Sequence, residues 1–279
     1  MPYSSSNITD QQVEILIADV LTQYGYDFTG YSRASLKRRL TRLCAIDKQV
    51  SFAEFRYKVA RDYNYFKRLV EQITVNVTEM FRDPSFYKTL RNDVFNEFRT
   101  APFIRIWLAG CSTGEEAYSV AIVLKEMDLL HKSLIYATDI NPAVLERAAQ
   151  GMAPLSQMKQ YSENYIAAGG TQDFSTYYTA NYALAKLNND LRDKMVFSTH
   201  NLVSDHSFNE FQLILCRNVL IYFERDLQYK VLQLFDNSLE RNGFLGLGTK
   251  ETIEFSKISK RYQKLPLEKI YKKIANESL

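Results

Sequence analysis

The segment that decides the fold reads Ile104-Arg105-Ile106-Trp107-Leu108-Ala109-Gly110-Cys111-Ser112-Thr113-Gly114-Glu115-Glu116-Ala117-Tyr118-Ser119. Its alternating apolar residues predict a short buried strand, the two glycines predict a tight loop, and the residues from Glu115 to about Met127 predict a helix. A strand, a loop and a helix in this order are typical of a doubly wound α/β sheet. Ligands of such sheets bind beyond the carboxyl ends of the strands, so we expect this loop to bind a ligand.

Strands and helices continue to alternate after this unit, which predicts a mostly parallel sheet with helices on both faces. We expect strands at 134–138, 211–216, 243–248 and 265–270, with helices from Asn141 and over 225–239. Residues from about 160 to 197 interrupt this alternation, because Tyr177 to Leu184 has the pattern of a β-ribbon between turn residues. We expect a small inserted antiparallel β-subdomain there.

The N-terminal part of the chain has helical patterns instead. Thr9 and Gln12 form a capping-box pair, a helical apolar face follows, and Gly25 stands where a helix end is expected. Further helices are expected around Leu36 to Leu43, from Ser51, around Phe66 to Ile73, and from Asp83-Pro84. The predicted organisation is a helical N-terminal domain (1–83), a linker helix (84–102) and an α/β domain (103–279).

Composition limits the class of protein. The 279 residues include 35 Lys and Arg, 32 Asp and Glu, and 46% apolar residues, which excludes disordered and fibrous classes. The chain shows neither a signal-peptide pattern nor an apolar run of membrane-spanning length, so we expect a cytoplasmic protein without membrane insertion. Its three cysteines and three histidines lack metal-ligand spacing, so we expect neither a structural metal nor a disulfide framework.

The loop at 109–116 also indicates the class of ligand. It lacks the G-x-G-x-x-G pattern and the Lys-Ser/Thr pair that bind phosphates, and it carries Glu115 and Glu116 instead. Two carboxylates repel a pyrophosphate but suit a sulfonium with an ammonium group, which favours S-adenosylmethionine over NAD. The alternative is that both glutamates only complement the helix dipole.

Two other strand ends carry polar residues. Asp139 ends the second predicted strand, 25 positions after Gly114, where nucleoside sites place an acid on the ribose hydroxyls. Its alternative role is the N-cap of the helix that starts at Asn141. Arg217 and Asn218 follow the strand at 211–216 and are expected to line the crevice, with a surface arginine as the alternative.

The second predicted helix has a cationic face. Between Tyr31 and Arg42 there are five basic residues and no acid, and Leu36, Leu40 and Leu43 lie on another face. The basic residues are Arg33, Lys37, Arg38, Arg39 and Arg42. This face either is merely solvated or binds an anionic partner. Nucleic acid is disfavoured, because aromatics are not interleaved and the Asp/Asn-Pro-Pro-Tyr/Phe signature is absent.

Four motifs together resemble one known family, the chemotaxis-receptor methyltransferases (CheR). They are Asn76-Val77-Thr78-Glu79-Met80-Phe81-Arg82-Asp83, the loop from Trp107 to Ser119, Thr138-Asp139-Ile140, and Leu215-Cys216-Arg217-Asn218-Val219-Leu220-Ile221-Tyr222-Phe223. The resemblance implies an all-helical N-terminal domain, a Rossmann-like class I methyltransferase sheet and an inserted β-subdomain. It also implies methyl transfer from S-adenosylmethionine to glutamate side chains of chemoreceptor cytoplasmic helices.

The resemblance assigns roles to single positions. Cofactor contacts are implied for Asn76, Thr78, Arg82, Glu115, Glu116, Asp139, Asn201, Leu202, Arg217 and Asn218. Tyr222 matches a tyrosine close to the methyl-transfer site, and the basic helix is expected to meet the Glu-rich receptor. The family commonly has His-Ser-Glu after the strand at 243–248, whereas Thr249-Lys250-Glu251 stands here, so only Glu251 carries over, weakly.

The chemistry leaves several assignments open. A glutamate carboxylate is ionised at pH 7 and displaces a neutral thioether, so a strong general base is not needed. An arginine is expected to orient the acceptor, and the sequence does not separate Arg82, Arg99 and Arg217. The alternatives to a monomeric protein-glutamate O-methyltransferase are a cofactor-binding regulatory or scaffold protein without turnover and a small-molecule methyltransferase.

Overall fold

The computed structural model describes residues 8–49, 51–74 and 78–274. The chain forms two compact units, Met1–Asn76 with Tyr222–Val231, and Val77–Ile221 with Leu232–Leu279. The first unit therefore ends before the expected boundary at residue 83 and takes in a segment from the α/β region. None of the helices in the described ranges combines the length and apolarity needed to cross a bilayer.

The first unit is built on helices, as the sequence predicts. They are α1 (Asp10–Tyr24), α2 (Arg33–Ile46), α3 (Phe52–Arg61) and α4 (Tyr63–Thr74). The capping box of Thr9 and Gln12 is present, and Gly25 ends α1 with a left-handed φ of 74°. The apolar stripe of α2, with Leu36, Leu40 and Leu43, is buried. These helices bury one face each, which is what their 3.6-residue periodicity predicts.

The second unit alternates strands and helices. In chain order its elements are α5 (Pro84–Thr89), β1 (Ile104–Ala109), α6 (Glu115–Glu126), β2 (Ser133–Asp139), α7 (Pro142–Gln150), β3 (Met152–Pro154), α8 (Met158–Ala167), β4 (Tyr178–Asn181), β5 (Leu184–Leu187), α9 (Asn189–Arg192), β6 (Met195–Thr199), β7 (Phe211–Cys216), α10 (Arg225–Ser238), β8 (Leu239–Leu247), β9 (Tyr262–Lys264) and β10 (Ile270–Lys273). The first residues of α10 belong to the other unit. The linker expected as one helix is α5 followed by a π-helical turn at Leu90–Val94 and a 3-10 turn at Glu97–Thr100.

The main sheet has seven strands in the order β6-β2-β1-β7-β8-β10-β9. The first five in this order run parallel, while β10 is antiparallel to both β8 and β9. The doubly wound prediction is confirmed. The final strand, expected at 265–270, is misplaced: residues 265–269 connect β9 to β10, which begins at Ile270, and Leu265 N donates to Ile270 O at 2.8 Å across the turn.

The inserted sheet is confirmed, but at shifted bounds. It consists of β3, β5 and β4 in that order, all antiparallel. It starts at Met152, before the predicted 160, because β3 is too short to produce a recognisable alternation. It ends near Leu187, before the predicted 197, because β6 pairs with β2 in the main sheet.

One buried carboxylate connects the insertion to the rest of the second unit. The side chain of Glu126, at the end of α6, is only 2% exposed. It forms an ion pair with Arg91 and accepts hydrogen bonds from the hydroxyls of Tyr165 and Tyr177 and from Thr171 N. Burial raises the pKa of Glu126, but the hydrogen bonds from Tyr165, Thr171 and Arg91 outweigh it and leave the pKa below its usual 4.5.

Replacing Glu126 by Gln is expected to destabilise the fold by about 2 to 4 kcal/mol at pH 7, because it leaves Arg91 buried without its counter-charge. A lowered pKa stabilises the folded state above the ordinary value, and this contribution is lost as the pH falls through the folded value. The difference in the free energy of unfolding between wild type and variant should therefore decrease below about pH 4.5. Urea unfolding at several pH values measures it, with the exposed Glu163→Gln as control, and a gap independent of pH would contradict this account.

Candidate functional site

The five parallel strands of the second unit end at the same edge of the sheet. This edge brings together the loop after β1, Asp139 at the end of β2, the turn after β6, and the segments that follow β7 and β8. It therefore collects the loop, strand-end and turn residues that the sequence placed at a ligand site. Parallel strands have this effect because all their carboxyl ends face the same way.

The loop after β1 depends on its glycines. Gly110 and Gly114 have left-handed φ values of 81° and 93°. A Cβ on Gly110 would lie 2.5 Å from the side chain of Val219, and one on Gly114 would lie 2.9 Å from the Cβ of Ala148. Larger residues would therefore push the loop out of its close packing. Ser112 between them also has a positive φ, of 51°.

Asp139 fixes the shape of this loop. It is 8% exposed, and its Oδ2 accepts a hydrogen bond from Ser112 N at 2.9 Å. Its Oδ1 accepts from Asn141 N at 3.0 Å, but the N-cap of α7 is Asn141, whose side chain accepts from Ala143 N. The N-cap alternative for Asp139 is therefore wrong. Burial raises the pKa of Asp139, and the hydrogen bonds from Asn141 and Ser112 oppose this rise.

Glu115 and Glu116 have different surroundings, although they are adjacent at the start of α6. Glu115 accepts a hydrogen bond from the Thr113 hydroxyl at 2.7 Å, and burial raises its pKa. Glu116 forms an ion pair with Arg217 at 2.8 Å. Glu115 therefore remains the better candidate for the cationic end of a ligand, whereas Glu116 neutralises a protein charge.

Arg217 is buried and binds several protein groups, so it is not a surface arginine. Its Nη2 donates to Asp83 Oδ2 at 2.7 Å and to Arg82 O at 2.9 Å, while its Nη1 donates to Glu116 Oε1. Its guanidinium carbon lies 4.2 Å from the centre of the Phe86 ring. Burial alone would lower the pKa of Arg217, but the nearby carboxylates, Glu116 first, raise it. Both terminal nitrogens of the guanidinium are therefore bound to protein acceptors.

The segment that carries Arg82 is held in an unusual conformation. Phe81 and Asp83 on either side have left-handed φ values of 53° and 57°. Such conformations cost on the order of 1 to 3 kcal/mol each and need support from their surroundings. The support comes from Phe81 N, which donates to Ser119 Oγ at 2.9 Å, and from Arg217. The side chain of Arg82 makes no hydrogen bond or ion pair with a described residue.

The loop after β7 is held by a residue that the sequence analysis carried over only weakly. Glu251 is 4% exposed and accepts hydrogen bonds from Gly248 N at 2.7 Å and from Asn218 N and Val219 N at 2.9 Å. Asn218 has a φ of 61°, so these bonds stabilise a strained turn. The sequence contains one signal for this role: Glu251 matches the glutamate of the family's His-Ser-Glu pattern, although Thr249 and Lys250 differ from it.

The remaining predicted residues are more scattered. Asn76 lies outside the described residues, and Thr78 is partly buried. Asn201 and Leu202 follow β6 at the common edge, where Asn201 Oδ1 accepts from Val203 N. Arg99 is exposed at the opposite end of the sheet, before the start of β1, where its carbonyl accepts from Lys132 Nζ. The structure therefore does not bring Arg99 to the site. Tyr222 belongs to the first unit.

Comparison with known proteins decides the family. Residues 76–270 match the family model described as CheR methyltransferase, SAM binding domain, and residues 11–74 match the CheR methyltransferase all-alpha domain. The chain belongs to the CheR methyltransferase family. This confirms the resemblance seen in the four motifs and the preference for S-adenosylmethionine over NAD. The all-alpha match coincides with the helices of the first unit.

Relatives of this family member cover most of the chain. A protein of Pseudomonas putida KT2440 named as methyltransferase Cher3 is 46% identical over 262 residues, which are 94% of this chain and 96% of that protein. The chemotaxis protein methyltransferase of Listeria innocua is 32% identical over 82% of this chain and 85% of its own length. Chemotaxis protein methyltransferase 2 of Pseudomonas aeruginosa PAO1 is 33% identical over 79% of this chain and 77% of its own length.

The residues at the sheet edge fit S-adenosylmethionine. Ser112 Oγ and Arg217 Nε are buried and have no hydrogen-bond partner among the described residues, as expected where a polar ligand supplies one. The carboxylate of Glu115 suits the cationic methionine end and that of Asp139 suits the ribose hydroxyls. The adenine contacts of Asn201 and Leu202 stay a prediction from the family resemblance. Glu251 already occupies the amides of Asn218 and Val219, so these two amides are not free to bind a ligand carboxylate.

Asp139→Asn is expected to weaken binding of S-adenosylhomocysteine about tenfold to a hundredfold, because it removes a charge-assisted acceptor from the ribose and from Ser112 N. Calorimetric titration of the full chain measures the affinity. Asp128→Asn is the matched control, since the Asp128 side chain is fully exposed. Unchanged affinity in a folded Asp139→Asn variant would show that Asp139 does not hold the cofactor.

Proposed function

We propose that this protein transfers a methyl group from S-adenosylmethionine to glutamate side chains on the cytoplasmic helices of chemoreceptors, as a protein-glutamate O-methyltransferase. Membership of the CheR methyltransferase family supports the methyl transfer and the cofactor. Relatives named as chemotaxis protein methyltransferases support the chemotactic role. The proposal includes a cytoplasmic location, a monomeric enzyme and receptor helices rather than nucleic acid as partners.

The observation that carries the proposal is the guanidinium of Arg82, which is unpaired among the described residues. Of the three arginines that the sequence left as candidates, Arg217 is buried with both terminal nitrogens bound to protein acceptors, and Arg99 lies at the other end of the sheet. The Arg82 side chain has no such partner in the described part of the chain, and its segment is held in place from both sides. An available guanidinium on a segment whose main chain is fixed suits a substrate that carries a carboxylate.

The proposed chemistry is a direct displacement. S-adenosylmethionine supplies an electrophilic methyl group on a sulfonium. A carboxylate oxygen of the receptor glutamate forms the new bond to the methyl carbon while the sulfur–methyl bond breaks, so the products are a neutral ester and S-adenosylhomocysteine. No proton moves, because the acceptor is ionised at pH 7. The role of Arg82 is to orient the acceptor, and Tyr222 is the second candidate for contact near the transferred methyl group.

Arg82→Gln is expected to lower kcat for receptor methylation about a hundredfold, since misplacing a reacting group by about 1 Å costs that much. The assay follows tritiated methyl transfer from the cofactor to receptor cytoplasmic fragments and its release as methanol in base. Arg99→Gln is the matched control and should behave as wild type. An Arg82→Gln variant with wild-type kcat would remove Arg82 from the mechanism.

The same assay separates the proposal from its alternatives. A regulatory or scaffold protein would bind S-adenosylhomocysteine but transfer no methyl group to any receptor fragment. A small-molecule methyltransferase would also leave the fragments unlabelled, and it would have no use for the cationic helix of the first unit. Base-stable labelling would mean that the acceptor is not a carboxylate.

The exposed face of α2 is proposed to bind the receptor through Arg38 and Arg42. Both are exposed and make no hydrogen bond or ion pair with a described residue. Arg33 and Lys37 are instead paired with Glu14 and Asp10, which reduces their attraction for a partner. Two free cations at i and i+4 suit the Glu-rich helices that the resemblance implies as substrate.

Reversing both charges, in Arg38→Glu with Arg42→Glu, should raise KM for receptor fragments about tenfold or more at low salt and much less at 0.5 M salt, because exposed charges are screened. Affinity for S-adenosylhomocysteine should not change. Arg61→Glu, an exposed charge reversal at the end of α3, controls for reversing one arginine, which is half of the change in net charge of the double variant. Equal KM values at low salt would show that the receptor binds elsewhere.

A further inference from the structure

One member of the basic set on α2 has a different environment from the others. Arg39 is half-buried, and its Nη1 donates to Gln72 O at 3.1 Å while its Nε donates to Ser35 Oγ at 3.1 Å. Its guanidinium carbon lies over the ring of Tyr222, 4.8 Å from the ring centre. All four residues belong to the first unit, so these contacts are internal to it.

The backbone of Tyr222 is anchored to the same helix. Tyr222 O accepts a hydrogen bond from Ser32 N at 2.8 Å, and Ser32 is the N-cap of α2. Phe223 forms an antiparallel bridge with Tyr31, and Glu224 N donates to Gly30 O at 2.9 Å. These three pairings explain why the segment from Tyr222 belongs to the helical unit although it follows β7 in the chain.

The two anchors lie on one face of α2. Ser32 and Arg39 are seven positions apart, which is two helical turns, so they stand above one another on the helix. Ser32 holds the main chain of Tyr222, and Arg39 holds the face of its ring. A guanidinium over a tyrosine ring is attractive because the ring face is negative, and the attraction grows when both are withdrawn from water.

We propose that Arg39 is a positioning residue that sets the orientation of the Tyr222 ring for methyl transfer, and that it does not bind the receptor. This rests on the proposed function, in which Tyr222 stands near the transferred methyl group. The fixed hydrogen bonds to Gln72 O and Ser35 leave Arg39 little freedom to turn outward. The basic residues of α2 then have two separate roles, since Arg38 and Arg42 bind the receptor and Arg39 holds the ring of Tyr222.

The test is steady-state receptor methylation by full-length variants at low and high salt. Arg39→Gln should lower kcat about tenfold while KM for the receptor fragment stays within about twofold and the loss does not depend on salt. Arg39→Lys, which retains a cation on a shorter reach, should recover part of kcat. The matched control is Lys67→Gln, because Lys67 lies 4.9 Å from the ring centre of Tyr63 in the same unit and has no assigned role.

A double-mutant cycle with Tyr222→Ala decides between positioning and docking. If Arg39 acts through Tyr222, the Arg39→Gln loss should disappear in the Tyr222→Ala background. Additive losses, or a salt-dependent rise in KM like that of Arg38→Glu, would overturn the proposal. If Tyr222→Ala alone retains wild-type kcat, the proposed role of Tyr222 fails, and with it the positioning role of Arg39. If no variant or wild type labels the receptor, the proposed function fails first.

Discussion

The arrangement of the site depends on the buried guanidinium of Arg217. It links the end of β7 to the first turn of α6 through Glu116 and to the segment before α5 through Asp83 and the carbonyl of Arg82. A buried charge is tolerated only when it is paired and hydrogen-bonded, so these three elements have to meet in one geometry. The strained conformations at Phe81 and Asp83 persist because this cluster holds them.

The cluster also determines which charges remain for a ligand. Because Arg217 takes up Glu116, the neighbouring Glu115 is the carboxylate left for a cationic ligand. Because Arg217 binds Asp83 and the carbonyl of Arg82, the Arg82 side chain is left without a partner among the described residues. Glu251 has a similar effect on the loop after β7, because it accepts hydrogen bonds from the amides of Asn218 and Val219 and leaves neither for a ligand. Charged residues that look alike in the sequence therefore have different roles: some bind other protein groups and stabilise the site, and others remain available to a ligand.

Much of the fold was predictable because its determinants are local. The apolar periodicity of α1 and α2, the capping box at Thr9, and the alternation in β1 act over a few residues each. The placement of the site followed from the same reasoning, since residues after parallel strands meet at one edge. Elements whose signal is too short or ambiguous were misplaced, such as the three residues of β3 and the turn between β9 and β10.

By itself, the sequence determined the fold class, the helical first unit, the sheet edge at which the candidate site lies, and the family through its four motifs. Only the tertiary structure decided the partners of individual charges. Arg217 meets Glu116 and Asp83 across 101 and 134 positions, and Arg39 meets a tyrosine that follows the seventh strand. No local pattern encodes such pairs, because an arginine has the same periodicity whether its guanidinium lies in water or against a buried carboxylate. Long-range packing selects between the two.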